Sequence, residues 1–254
     1  MSRVSLTDKN GEVPETLVLL HGFAGTHRTW DLVVPELDAE RYMPLVPDLR
    51  GHGTKGTVRP VTFGACVADV LAQAPPRFAL CGYSFGGRVA QHVALAAPQR
   101  VTRLVLVSTS GGLEDDAERA ARRAEDEALA AEIEGMTGAQ FADRWQALPV
   151  FAGTPEEAAR FWRADLLRND PRGLAEALRA LGVGVMEPIW SRVGQLTMPT
   201  TVVVGERDTK FMAFAERYMS LLPDADLVVI PGVGHGLPRE APRELAAAIQ
   251  GAGA

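Results

Sequence analysis

Cysteine and lysine are scarce in this 254-residue chain, and long apolar runs are missing. Cys66 and Cys81, the two cysteines, cannot build a disulfide framework, and Cys81 ends an apolar run where a buried thiol is expected. No apolar stretch approaches the ~18 residues that a bilayer crossing needs. VTRLVLVSTSG and TTVVVG stop after a strand's length. The opening MSRVSLTDKNGEVPE has no apolar core of a signal peptide, so a soluble, cytoplasmic protein is expected. There is no HExxH, no His/Cys cluster and no calcium loop, so neither a metal nor another cofactor is expected. A formal net charge of −6 argues against nucleic acid and anionic membranes as partners. No internal repeat or Pro/Ser-rich linker is found, and a monomer or small homo-oligomer is expected.

What is present is a globular composition, 46% hydrophobic and 23% charged, in a length that one large domain commonly fills. Short Val/Leu-rich runs alternate with longer helical patterns, which is how a mostly parallel α/β sheet covered by helices reads. The strands are expected at Thr16–Leu20, Met43–Val46, Phe78–Leu80, Leu104–Val107, Thr200–Val204 and Asp226–Val229. Helices are expected at Thr62–Ala72, Gly87–Ala96, Ala213–Leu221 and Arg239–Ala248. The rhythm breaks over residues 113–192, which divides the chain into a first core part (1–112), a helical insertion, and a second core part (193–254). Residues 113–182 hold nine Arg, no Lys and fifteen Asp/Glu, so the whole acidic excess sits there. Phe141, Trp145, Phe151, Phe161 and Trp162 predict that this insertion covers the sheet's functional edge, because a freely solvated hairpin has no use for them.

The residues able to do chemistry cluster at strand ends. Gly82-Tyr83-Ser84-Phe85-Gly86 follows an expected strand and precedes a helix, the context that a nucleophile elbow demands. A serine there needs an imidazole to take its proton and a carboxylate to orient that imidazole. In a Ser…Asp…His order only His235 qualifies, since the other histidines, His21, His27, His52 and His92, lie at or before residue 92. The acid is expected after Thr200–Val204, where Asp208 is favoured over Glu206 as lying further into the loop. The backbone N–H groups of Phe23 and Phe85 are the candidate oxyanion donors. His21 and the Asp48–Gly53 turn read as scaffold. Arg88 stands one helical turn past Ser84, where an apolar residue would be ordinary, and arginine's planar fork suits a carboxylate.

LLHGFAGT, PDLRGHG, CGYSFGGR, VVVGERD and GVGHG together resemble the α/β-hydrolase fold superfamily over nearly the whole chain. The resemblance implies a mostly parallel sheet flanked by helices, with the cap inserted after the sixth strand. GYSFGGR, FADRWQALPVFAG, LGVGVMEPIW and GERDTKF are similar, more narrowly, to the 2-succinyl-6-hydroxy-2,4-cyclohexadiene-1-carboxylate synthases of menaquinone biosynthesis. That likeness implies a lyase acting on a small tricarboxylate. It also implies carboxylate-binding roles for Arg122 and Arg168 and pocket positions for Tyr83 and Trp145. The competing use of Arg122 is an i,i+4 ion pair with Asp126. Two other functions share the motifs: a carboxylesterase or thioesterase forming an acyl-enzyme on Ser84, and a non-catalytic receptor for a small ligand.

Overall fold

A computed structural model describes residues 13–251. Its sheet has six parallel strands in the order β2-β1-β3-β4-β5-β6: β1 (Glu15–Leu20), β2 (Tyr42–Leu45), β3 (Phe78–Tyr83), β4 (Val101–Val107), β5 (Thr200–Gly205) and β6 (Ala225–Ile230). Each begins within three residues of the position expected from sequence. The apolar runs are continuous because successive side chains serve opposite faces, both of which are covered. Val18, Leu20, Leu80, Leu104, Leu106, Val202 and Val204 pack on one side with α1 (Phe63–Gln73), α2 (Phe85–Ala96) and α7 (Thr209–Leu221). Leu17, Leu19, Ala79, Cys81, Val105, Val107 and Val203 pack on the other. There they meet Leu245, Ala246 and Ile249 of α9 (Pro242–Gln250).

Between β4 and β5 lie α3 (Asp116–Glu134), α4 (Gly138–Gln146), α5 (Glu156–Leu166) and α6 (Pro171–Leu181). They have their own core of Ile133, Phe141, Trp162, Leu166 and Leu174. The insertion follows the fourth strand rather than the sixth. In the described residues the chain passes from β2 to β3 and from β3 to β4 through one long helix each, with no further strand ahead of β4. The expected helix at Arg239–Ala248 is also two pieces, α8 (Leu237–Glu240) and α9, because Pro242 cannot continue the backbone bonding of α8.

Reading across the sheet, the strand order reverses at β1, between its neighbours β2 and β3. The loops leaving β1 and β3 therefore diverge around a crevice at the carboxyl ends of the strands. Those loops carry Phe23 and Ser84.

Candidate active site

Ser84 links β3 to α2 with φ 51° and ψ −111°, a conformation that a non-glycine residue holds only when its surroundings impose it. The imposition comes from close packing. A side chain at Gly82 would collide with the carbonyl of Gly86, and one at Gly86 with the carbonyl of Leu20, so the turn closes tightly onto β1. Thr109 Oγ1 donates to the Ser84 carbonyl at 2.7 Å and braces it further. Ser84 Oγ is thereby held 3.0 Å from His235 Nε2, and His235 Nδ1 lies 2.7 Å from Asp208 Oδ2. His235 and Asp208 are both buried, at 6% and 5% exposure. Asp208 accepts from Nδ1–H, which leaves the Nε2 lone pair facing the serine hydroxyl. Glu206, the other acid weighed, is taken up elsewhere: its Oε2 accepts from the Gly232 N–H at 2.7 Å.

Phe85 opens α2, so its N–H has no acceptor within the helix. The Phe23 and Phe85 rings meet edge to face at 6.3 Å, and both residues line a cavity of ≈ 320 Å³ together with Ser84 and His235. The loop bearing Phe23 is held from below. His21 Nε2 accepts from the Leu49 N–H at 2.9 Å, while its Nδ1 donates to the Gly22 carbonyl at 2.8 Å. Asp48 accepts from the His27 N–H at 2.6 Å and from the Thr54 N–H and hydroxyl at 2.8 and 2.7 Å. Burial opposes ionisation of Asp48, but these bonds from Thr54 and His27 hold its carboxyl well below the usual range.

The cavity wall is largely apolar, with Arg88, Arg122, Lys210 and Arg239 as its cations. Trp145 meets the Phe23 ring tilted at 51° with centroids 4.9 Å apart, and its indole N–H has no hydrogen-bond partner. Tyr83 lines the wall, donates its hydroxyl to the His235 carbonyl at 3.0 Å, and is pushed up to about 12 by burial. Arg88 donates to the Leu181 carbonyl at 2.8 Å and lies 5.2 Å over the Phe85 ring, with no ion pair among the described residues. Burial, and then the neighbouring Arg122, lower its pKa to about 10, so it remains a cation at neutral pH. Arg122 both lines the cavity and donates to Asp126 at 2.8 Å, so the two uses weighed for it coexist.

Arg168 is placed differently. It is exposed and absent from the cavity wall, because the turn after α5 directs Asn169 inward instead. Asn169 donates to the Ala24 carbonyl at 2.7 Å and accepts from the Gly53 N–H at 2.9 Å. Of the nine arginines in residues 113–182, only Arg122 is among the lining residues. Several others pair within the insertion, as Arg179 does with Glu127 and Glu134.

Two cations escaped the sequence reading, Lys210 at the start of α7 and Arg239 in α8. Arg239 is stacked by Trp162 at 3.9 Å and Phe151 at 5.1 Å. Its signal in the sequence was only its nearness to His235, four residues along the chain. Among the described residues no three His, Cys, Asp or Glu side chains gather as a metal-holding group. No described helix is long and apolar enough to cross a membrane.

Residues 17–248 match the model of the alpha/beta hydrolase family. A 2-succinyl-6-hydroxy-2,4-cyclohexadiene-1-carboxylate synthase from Escherichia coli O1:K1 is 34% identical over 239 residues, covering 92% of this chain and 91% of the relative. The structure of MenH from S. aureus superposes with a TM-score of 0.87 at 30% identity, covering 96% of this chain and 95% of that one. A hydrolase from Pseudomonas aeruginosa PA01 gives a TM-score of 0.75, also at 30% identity, over 94% and 89% of the two chains. Sheet order, serine turn, strand-end residues and these likenesses agree, and the chain belongs to the alpha/beta hydrolase family.

Proposed function

We propose that this protein is a lyase that eliminates pyruvate from 2-succinyl-5-enolpyruvyl-6-hydroxy-3-cyclohexene-1-carboxylate, a step of menaquinone biosynthesis, and that it does so without a covalent intermediate. The observation that carries this reading is the chain Asp208–His235–Ser84 opening into a cavity that holds Arg88 without a carboxylate partner. A simple ester offers that guanidinium nothing to bind. A substrate with three carboxylates does. The similarity to synthases named for this product supports the same choice.

In this mechanism His235, oriented by Asp208, takes the Ser84 proton, and the serine oxygen removes the ring proton beside the succinyl ketone. The electron pair moves onto the ketone oxygen, where the Phe23 and Phe85 N–H groups stabilise the enolate. It then returns through the ring alkene and breaks the bond to the enolpyruvyl oxygen. Enolpyruvate leaves and takes up a proton to become pyruvate. Arg88 and Arg122 anchor carboxylates, while Trp145 and Tyr83 shape the wall. The same serine and imidazole would serve an esterase, and the Pseudomonas hydrolase keeps that alternative in view.

Lactate dehydrogenase-coupled detection of pyruvate separates the two readings. Release from the cyclohexene tricarboxylate, with no mass increase on the protein during turnover, is expected. Hydrolysis of p-nitrophenyl acetate with an acyl adduct on Ser84, and no pyruvate from the tricarboxylate, would establish the esterase instead.

A further inference from the structure

We propose that Arg239 forms a second carboxylate subsite, so that the cavity takes a polyanion whose carboxylates lie on both sides of Ser84. This rests on the tricarboxylate reading above and adds to it a residue from the core rather than from the insertion.

Arg239 lines the cavity at only 9% exposure and makes no ion pair among the described residues. Its Nε and Nη2 are buried without any hydrogen-bond partner. These two N–H groups share one edge of the guanidinium plane, the edge that meets both oxygens of a carboxylate. At two other arginines of this molecule that edge is filled, while Arg239 is the one among the described residues whose Nε and Nη2 are both buried and unpartnered. Arg50 donates through Nε and Nη2 to Asp69 at 3.0 and 2.7 Å, and Arg179 does the same to Glu127 at 2.9 and 3.0 Å.

At Arg239 the nearby acids are already engaged. Glu240 accepts from the Gly234 N–H at 3.2 Å and from Thr154 Oγ1 at 3.1 Å, and Asp208 holds His235. Trp162 and Phe151 take the flat face of the guanidinium and leave its edges for an acceptor. Glu240 lies near this buried cation but forms no ion pair with it, which leaves the unfilled edge for an anion from the cavity. That edge is closed off in the structure, and the guanidinium must turn between the two rings when an anion binds. Arg239 acts on the hydroxyl of Tyr83, whereas Arg88 lies over Phe85, and these are the two chain neighbours of Ser84. The two cations therefore neighbour the side chains that flank Ser84 in the sequence, Arg239 at Tyr83 and Arg88 at Phe85.

Titration calorimetry with tricarballylate, a tricarboxylate with no reacting bond, tests the subsite apart from catalysis. Binding to the wild type is expected, weakened about 10- to 100-fold by Arg239→Gln, the loss of hydrogen bonds to a charged group. Arg239→Lys, which keeps the charge but not the fork, should fall between them. Circular dichroism melts establish that each variant is folded. Should Arg239→Gln not fold, Arg239→Lys is decisive, with at least fivefold weaker binding expected. Failure of tricarballylate to bind the wild type, or equal affinity in the folded variants, overturns the subsite even where pyruvate release persists. Arg239-dependent binding in an enzyme that releases no pyruvate upholds the subsite and discards the substrate reading.

Discussion

At the scale of the residue, the informative feature is a cation without an anion. Arg88 is drawn from water beside Phe85 and Leu181 and makes no ion pair among the described residues, Asp126 acting on it only from a distance and being held by Arg122. Replacing it with alanine is expected to lower kcat/KM for the tricarboxylate by about 2–5 kcal/mol, with Arg88→Lys recovering only part of the loss. A change below threefold would remove Arg88 from the substrate site. Motif and chain order made Ser84, His235 and Asp208 legible in the sequence, because the turn's packing and the order of strands leave few positions for them. Arginine was harder to read. Arg168 and Arg239 look alike in a string of letters, and what separates them is the direction each side chain takes. Arg168 sits in a turn whose inward position goes to Asn169, whereas the single turn of α8 folds Arg239 back over Trp162. Such orientation depends on where short helices start and stop, the least determined part of a sequence reading.

At the scale of the element, the insertion is fastened to the loops that carry the chemistry. Asp165, at the end of α5, accepts from the Thr26 N–H and Thr29 Oγ1, both at 3.1 Å, and from the Thr26 hydroxyl. Thr26 in turn caps the short 3-10 turn His27–Trp30 just beyond Phe23. Asp165→Ala would strand several buried donors and is expected to cost about 2–3 kcal/mol of stability, read from the urea midpoint at unchanged m-value. A loss below about 0.5 kcal/mol, within the ordinary scatter of surface substitutions, would show that the latch bears no weight. The aromatic content of the insertion foretold that it covers the sheet, and Phe151, Trp145 and Trp162 do line the cavity. Its acidic charge foretold less, since much of it pairs with arginines of the same segment, as at Arg179.

At the scale of the whole molecule, alternating strand residues fill cores on both faces of the sheet, and imidazoles withdrawn from water beside them, His21 and His52 buried in loops and His92 half-buried on α2, tie stability to pH. Burial, and then the neighbouring His21, lower His52 to about 3, while burial lowers His21 and brings His92 to about 4. Unfolded, each titrates near ~6.5. Between those values the unfolded chain binds more protons than the native one, so stability should fall as pH drops from about 6.5 toward about 3. Asp48, held low in the fold, adds a separate loss only below about 4. Melting temperatures between pH 7 and 4 should therefore decline, with a shallower slope for His52→Asn. Equal slopes would mean that His52 does not titrate across unfolding. The central claim concerns Ser84 as the base that starts elimination, and pyruvate release by wild type and Ser84→Ala on the cyclohexene tricarboxylate tests it most directly. Steady release by the wild type and a fall of roughly 10⁴-fold or more in the folded variant are predicted. Undiminished release by Ser84→Ala would contradict the account.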